Sequence, residues 1–278
     1  MKTVLRISFI LTLFLVIYSC EKKPVSAETE EKRQKIELVT DQGTMILELY
    51  NETPLHRDNF IKVVQDGVYD SVLFHRVINE FMIQSGDPDS KNAKPGDTLG
   101  NGGLDYKVDA EFNPKLFHKK GVLAAARDGN PERASSSTQF YIAQGKVFND
   151  SLLDRAEERI NGWLAEHYFK KDPANKPLLD SLHKAIDAEN MEQYRLYSDS
   201  ISSLAKSYEN FDTYAISEEQ RSVYKTLGGT PHLDQNYTVF GEVIEGLDVV
   251  DSIAVVPTGP LDRPVTDVII ISVKVLDE

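Results

Sequence analysis

The chain has 278 residues, 41% of them hydrophobic and 27% charged, which is typical of a soluble globular protein with one large domain or two ordinary ones. Its 44 acidic residues outnumber 31 Lys and Arg, so the formal net charge is -13. This balance argues against nucleic-acid binding, because phosphate contacts need clustered cations.

The N-terminus has the pattern of a secretory signal. A basic start precedes an apolar run at 7–18, which is shorter than the roughly 20 apolar residues of a membrane-spanning helix. Ser19 and Cys20 then resemble the lipobox of bacterial lipoproteins. The resemblance implies that residues 1–19 are a lipoprotein signal peptide, and that the thiol and new amino group of Cys20 are acylated. An ordinary cleaved signal with an incidental cysteine is the alternative.

Residues 20–34 are almost devoid of apolar side chains and have no periodicity, which predicts a flexible tether. A lipid on Cys20 would hold the protein to a membrane of the cell envelope, facing the periplasm or the cell exterior. Since Cys20 is the one cysteine of the sequence, its acylation would leave no thiol for a disulfide, a nucleophile or a metal site.

From residue 35 the pattern becomes β-rich. Short apolar runs separated by turn residues predict strands, beginning with a hairpin, and one helix with Phe60, Ile61, Val63 and Val64 on its buried side. The predicted strands of this part lie at 36–40, 44–50, 73–77, 82–85, 121–126 and 139–143, and the helix at 54–66.

Residues 145–227 differ in kind from their surroundings. Leu, Ala and Tyr recur there at helical spacing, and Ser217 begins a capping box, so we expect three or four helices. Strand character returns at 237–243 and 268–275, with a short helix at 247–254 between them. A β-rich domain at 35–144 and 228–278 is therefore predicted to be interrupted by a helical insertion, which is too long for a loop.

Residues that can carry chemistry are concentrated in short segments of the β-rich part. They are FHRVI at 74–78, FMIQSGD at 81–87, GVLAAAR at 121–127, STQFYI at 137–142, PHLD at 231–234 and YTVFGEV at 237–243. In this order the segments closely resemble the signature motifs of the cyclophilin family of peptidyl-prolyl cis-trans isomerases. The resemblance covers almost all of the chain after the tether, except the insertion.

The resemblance implies a mainly β fold: a closed eight-stranded antiparallel barrel capped by a helix at each end, with the insertion as an all-α subdomain. One capping helix is 54–66, and the other starts after 109–111 or lies in 247–254. The peptide site is expected on the outside of the barrel, because side chains fill its interior.

The resemblance also implies a role for each matching residue. Arg76 is the catalytic cation, and Phe81, Met82, Tyr141 and Leu233 form an apolar floor for the proline ring. Gln84 and Gln139 contact the peptide backbone, the Ala126–Arg127 edge runs beside the peptide, and Tyr237 stands where the family often has histidine. Other departures are Tyr141 for phenylalanine, Ser85 for glycine, Arg127 for asparagine and His232 for tryptophan.

The implied activity is isomerisation of X–Pro bonds in proline-containing client polypeptides, without a cofactor or metal. A non-catalytic chaperone or peptide-binding module on the same fold is the alternative. A hydrolase triad of Ser135–Ser137 with His75 and Asp87 is disfavoured, because no nucleophile elbow surrounds the serines. We interpret His75 as a packed residue, and the insertion either as a holder of clients or as a subdomain packed on itself and the barrel.

Overall fold

The structure is a computed structural model that describes residues 32–94 and 96–277. The predicted signal peptide, Cys20 and residues 20–31 of the predicted tether lie outside the described residues. At the end of that tether, the guanidinium of Arg33 lies 4.5 Å from the centroid of the Tyr50 ring. Gln34 donates from Nε2 to the carbonyl oxygen of Leu276 at 2.7 Å. The last two residues of the predicted tether, Arg33 and Gln34, thus contact the β-rich domain.

The described elements follow the predicted alternation of a β-rich part, a helical part and a second β-rich part. The strands are β1 (Lys35–Thr40), β2 (Gly43–Leu49), β3 (Arg76–Ile78), β4 (Met82–Ser85), β5 (Lys107–Val108), β6 (Val122–Ala125), β7 (Ser135–Ser136), β8 (Phe140–Ala143), β9 (Val239–Glu245) and β10 (Ile270–Val275). The α-helices are α1 (Pro54–Gln65), α2 (Asp150–Lys171), α3 (Lys176–Asp187), α4 (Met191–Lys206), α5 (Glu218–Thr226) and α6 (Leu247–Ala254).

Eight strands form one antiparallel, curled sheet in the order β10-β1-β2-β9-β6-β8-β4-β3. Its edge strands, β3 and β10, are not paired with each other in the sheet. The segment 71–74 before β3 is joined to 268–270 by the bridge between Leu73 and Ile269 and by backbone hydrogen bonds. The closed barrel implied by the sequence resemblance is therefore not confirmed. The strand predicted at 73–77 is also shorter, because its ladder with β4 begins only at Arg76.

The strands of the sheet bury side chains on both faces. In β4, β6 and β8, Ile83, Leu123 and Ile142 join the main core, whereas their neighbours Met82 and Tyr141 belong to a second apolar cluster. This separation follows from the period of a strand, in which successive side chains point to opposite faces. The second cluster lies on the face that carries the candidate site.

Helix α1 covers the main core, as its apolar pattern predicted. Phe60 is 2% exposed and its ring packs edge-on against Phe140 at 5.5 Å between centroids, while Ile61 is half-buried against the same core. The helix begins at Pro54, whose ring suits the first turn. The carboxylate of Glu111 accepts from the next two amides of α1, which satisfies donors that have no partner within the helix.

Of the two positions expected for the second capping helix, the structure has α6 at Leu247–Ala254. The segment after residues 109–111 contains turns and no helix. Val250 and Ile253 of α6 are fully buried in the main core, so this helix contributes its apolar side to the same cluster as α1.

The insertion contains four helices in the described chain, α2 to α5. The capping box predicted at Ser217 is present, since its hydroxyl accepts from the Gln220 amide and the Gln220 side chain accepts from the Ser217 amide. The chain leaves and re-enters the sheet region at one point, where Gly229 donates its amide hydrogen to the Lys146 carbonyl oxygen at 3.0 Å. The boundaries of the predicted domains stay a prediction. None of the helices in residues 32–277 that the structure describes has the length and apolar character needed to cross a membrane.

Candidate functional site

A groove of about 780 Å³ lies over the second apolar cluster of the sheet. Every site residue predicted from the sequence lines it except Gln139. The groove is bounded by β3, β4 and β8, by the Ala126–Arg127 edge after β6, by the turn around Leu233, and by two loops at 96–100 and 259–267.

The floor of the groove is apolar. Met82, Tyr141 and Leu233 are 2%, 4% and 7% exposed. Phe81, the residue directly before β4, is partly buried against the same cluster. The rings of Phe81 and His232 are stacked with 5.6 Å between centroids, so His232 supports the floor from the side. Such a surface suits a small apolar ring, because it offers burial without a competing hydrogen-bond donor.

A guanidinium stands at the edge of this floor. Arg76 opens β3 opposite Gln84 of β4, and its Nη1 donates to Gln84 Oε1 at 3.5 Å. On its other side, Nε of Arg76 donates to the carboxylate of Asp262 at 3.4 Å. Both contacts are long, and the Arg76 side chain is 41% exposed, so its charge faces the groove and solvent together.

Gln139 lies behind Gln84 and does not line the groove. Its Oε1 accepts from Gln84 Nε2 at 3.1 Å, and its Nε2 donates to the carbonyl oxygens of Gly100 and Gly102 at 3.0 and 2.7 Å. Gln139 therefore connects the main chain at Gly100 and Gly102 to Gln84, which in turn contacts Arg76. The three predicted polar residues are thus connected in sequence: Gln139 is hydrogen-bonded to Gln84, and Gln84 to Arg76. Gln139 supports Gln84 from outside the groove.

The opposite wall carries a second guanidinium with fixed orientation. Arg127 lies 4.8 Å from the centroid of the Tyr237 ring. It donates from Nε and Nη2 to the main-chain and side-chain oxygens of Asn236 at 2.9 and 2.7 Å. Stacking and two hydrogen bonds together hold the cation against the wall.

Sequence reasoning missed the loop at 259–267. It places Asp262 beside Arg76, and Leu261, which is 70% exposed, at the mouth of the groove. Both residues have a left-handed φ of 59°, a conformation that non-glycine residues rarely adopt and that marks functional or turn positions. The turn itself was readable from Gly259-Pro260, but its position over the groove was not.

His75 also lines the groove, although it is only 4% exposed. Neither ring nitrogen has a hydrogen-bond partner among the described residues, and burial lowers its pKa to about 4. Ser135 of the hydrolase alternative is bonded instead to the ring of His56 at 2.9 Å. His75 and the serine are thus not joined, and no cluster of three or more potential metal ligands occurs in the described part of the chain.

Comparison with known proteins agrees with this geometry. The family model for cyclophilin type peptidyl-prolyl cis-trans isomerases matches residues 35–168 and 187–275. The chain belongs to this family. The match leaves out 169–186, which includes most of α3 in the insertion of this cyclophilin.

Two curated relatives from staphylococci are provisionally named peptidyl-prolyl cis-trans isomerase. The protein of Staphylococcus aureus strain USA300 is 28% identical over 252 residues, covering 90% of this chain and 96% of its own. The protein of Staphylococcus haemolyticus is 28% identical over 255 residues, covering 91% and 97%. A solved cyclophilin of Cryptosporidium parvum, also determined in the presence of the dipeptide Ala-Pro, has a TM-score of 0.50 at 18% identity. The alignment with the structure determined in the presence of the dipeptide covers 88% of this chain and 100% of the Cryptosporidium chain. This likeness shows that the two proteins share a fold.

Three departures from the cyclophilin motifs have a structural explanation. Ser85 is fully buried and donates to the Leu73 carbonyl oxygen at 2.9 Å, which attaches β4 to the segment before β3. The hydroxyl of Tyr141 contacts Nε2 of His118 at 2.9 Å, and burial raises the Tyr141 pKa well above its ordinary value. Burial likewise lowers the pKa of His232 to about 4, so its ring is neutral at pH 7 beside Phe81.

Proposed function

We propose that this cyclophilin catalyses cis-trans isomerisation of X–Pro bonds in extracytoplasmic polypeptides and so assists their folding. The observation that carries the proposal is the position of Arg76, whose guanidinium borders the apolar floor formed around Met82 and Tyr141. A cation next to a proline-sized apolar surface is the arrangement that this reaction needs.

The X–Pro bond rotates slowly because conjugation gives its C–N bond partial double-bond character, with a barrier of ~18–20 kcal/mol. Uncatalysed exchange takes roughly 10–100 s. A turnover of about 100 per second would be three to four decades faster, which requires about 4–5.5 kcal/mol of transition-state stabilisation.

Arg76 can supply part of this energy selectively. In the twisted transition state the amide nitrogen loses conjugation, and its lone pair becomes a hydrogen-bond acceptor. A guanidinium directed at that nitrogen binds the twisted amide and not the planar one, which is the condition for catalysis. One charge-assisted hydrogen bond is worth ~1.5–3 kcal/mol, so Arg76 would account for about half of the requirement.

The remaining contributions come from the groove. Its floor around Met82, Tyr141 and Leu233 excludes water, which strengthens the bond to Arg76. Gln84 and the Ala126–Arg127 edge would hold the peptide backbone on one side of the proline while the other side turns. The mechanism involves no covalent bond and no proton transfer.

Isomerisation of an Ala-Pro peptide tests the proposal directly. The full chain in detergent should accelerate exchange, and Arg76→Ala should lower kcat/KM by at least about tenfold. Arg195→Ala is the matched control, because Arg195 is an exposed arginine of α4 and does not line the groove. A folded parent protein without activity would refute the proposed isomerase activity. A non-catalytic chaperone or peptide-binding module would then be the better description of its function.

We also propose that the protein acts at a membrane through a lipid on Cys20, with clients on the periplasmic or outer side. The support is the lipobox-like sequence around Cys20. In cells fed a labelled fatty acid, the parent chain should take up the label and sediment with membranes, and Cys20→Ser should do neither. Label retained by the Cys20→Ser protein would contradict this anchor.

A further inference from the structure

A buried carboxylate lies between the helical insertion and the floor of the groove. Asp234 is fully buried, and each of its oxygens accepts hydrogen bonds from a different direction. Oδ1 accepts from the main-chain amide of His118 at 2.8 Å and contacts the ring Nδ1 of the same residue at 2.8 Å. Oδ2 accepts from the hydroxyls of Tyr224 at 2.8 Å and Tyr214 at 3.2 Å.

On the groove side, the contacts continue to the floor. His118 is fully buried, and its Nε2 lies 2.9 Å from the hydroxyl of Tyr141. Because a carboxylate only accepts, Nδ1 of His118 carries the proton shared with Asp234. In the tautomer that carries its single proton on Nδ1, Nε2 accepts from the Tyr141 hydroxyl. That tautomer directs the hydroxyl proton of Tyr141 towards His118.

On the insertion side, both tyrosines lie in the predicted helical insertion, outside the short sequence segments that carry the resemblance. Tyr224 lies in α5 and is fully buried. Tyr214 precedes α5, and its main chain makes two 2.8 Å hydrogen bonds with the side chain of Asn161 in α2. The Tyr214 hydroxyl has a single proton, and Gln220 Oε1 lies 3.4 Å from it as a second, more distant acceptor beside Asp234.

The whole row is buried. Its five side chains are between 0% and 8% exposed: His118, Tyr141, Tyr214, Tyr224 and Asp234. Hydrogen bonds to a charged group in such surroundings are strong, and leaving one unmade is costly. A change at one end of the row therefore alters the favoured position of the side chain at the other end.

We propose that Tyr224 and Tyr214 of the insertion are positioning residues for the peptide groove, acting through Asp234 and His118 on the hydroxyl of Tyr141. This inference rests on the proposed function, since Tyr141 is assigned there to the floor that receives the proline ring. It gives the insertion a role in isomerisation without any contact between the insertion and the peptide. It also explains why this chain has tyrosine at a floor position where its family usually has phenylalanine.

Tyr224→Phe tests the proposal, with Tyr208→Phe as its matched control. Tyr208 also belongs to the insertion and donates its hydroxyl to Asp172 at 2.9 Å, but it does not touch Asp234. In the full chain, at a temperature where each variant is folded, Tyr224→Phe should lower kcat/KM for an Ala-Pro peptide by about threefold to tenfold. Tyr208→Phe should leave kcat/KM unchanged.

A double-mutant cycle separates positioning from stability. In a Tyr141→Phe background, adding Tyr224→Phe should change kcat/KM by less than about twofold, because the row is already interrupted. The ¹³C-methyl resonance of Met82, which packs in the floor cluster with Tyr141, should shift in Tyr224→Phe and not in Tyr208→Phe. If Tyr224→Phe does not fold, Tyr214→Phe takes its place in the same cycle. That substitution removes the longer of the two tyrosine hydrogen bonds to Asp234.

Two results would overturn the inference. One is a lower melting temperature with unchanged kcat/KM and an unmoved Met82 methyl resonance, which is what a purely structural row would give. The other is additivity of the two substitutions in the cycle. Inactivity of the parent protein would instead refute the proposed function, and the Met82 resonance would then decide by itself whether the insertion positions the floor.

Discussion

Replacing Arg76 with lysine separates the charge of the side chain from its shape. Lysine keeps one positive charge but has a single ammonium group in place of the planar guanidinium. In the parent structure the guanidinium is held from two sides, by Asp262 at Nε and by Gln84 at Nη1. An ammonium group bonded to those two oxygens keeps one N–H donor, but no planar frame directs it toward the amide nitrogen of a bound peptide.

The expected size of the effect follows from the loss of one directed, charge-assisted hydrogen bond, worth ~1.5–3 kcal/mol. Arg76 is 41% exposed, so solvent screens part of this interaction and the lower end of the range applies to a flexible ammonium group. We therefore expect Arg76→Lys to lower kcat by roughly tenfold to thirtyfold. KM should change little, because the apolar floor that binds the proline ring is untouched.

The assay is isomerisation of an Ala-Pro peptide at several substrate concentrations, which gives kcat and KM separately. Arg195→Lys on the exposed face of α4 is the control for the same chemical change away from the groove. Activity of Arg76→Lys within threefold of the parent would refute the reasoning, since a charge without a directed donor would then be sufficient.

Three further predictions concern the ion pair of Arg76, the buried His75 and the helical insertion. Asp262→Asn should lower KM by about twofold to fivefold, because an exposed ion pair worth ~0.2–1 kcal/mol no longer competes with the peptide for Arg76; a tenfold loss of kcat would instead make Asp262 an orienting residue. His75 has a folded-state pKa of about 4, below that of the unfolded chain, so unfolding free energy should fall as pH drops from about 6.5 towards 4, by on the order of 2 kcal/mol at pH 5. Denaturant titrations of His75→Phe at several pH values should show a smaller decrease of unfolding free energy between pH 6.5 and pH 4. The same dependence of unfolding free energy on pH in both proteins would exclude this contribution of His75. Gly145→Ala should destabilise the protein by at least about 2 kcal/mol, since φ is +64° and the new Cβ would lie 2.1 Å from the Gly229 carbonyl oxygen. Gly162→Ala in α2, with open space around it, should stabilise by about 0.5–1 kcal/mol in the same thermal assay, and similar effects of the two would contradict this account.

Local patterns in the sequence were sufficient for most of the secondary structure. The alternation in β4 and β8 separates Ile83 and Ile142 from Met82 and Tyr141, and this assigns both strands and faces. The capping box at Ser217 depends on residues three apart, and it is present in the structure. Such features are readable because their periods and spacings are properties of one short segment.

The order of the family motifs determined the family and predicted a set of site residues that, apart from Gln139, line one groove. Arg76, Phe81, Met82 and Gln84 belong to one short segment, so their proximity is fixed by a single hairpin. What the motifs could not determine was the closure of the sheet, which depends on how its two edge strands approach each other. The sequence also did not place Gln139 behind the groove, because that depends on its partners at Gly100 and Gly102.

Only the tertiary structure brought together residues that are far apart in the chain. Asp262 reaches Arg76 across 186 positions, and Asp234 reaches His118 across 116. Tyr224 contacts Asp234 because the insertion returns to the sheet where it left, at Gly145 and Gly229. No periodicity or motif encodes such contacts, since they arise from the packing of separately formed elements. The sequence by itself therefore determined the family and most of the long strands, and it predicted residues that, apart from Gln139, line one groove. The packing decided which other side chains hold them.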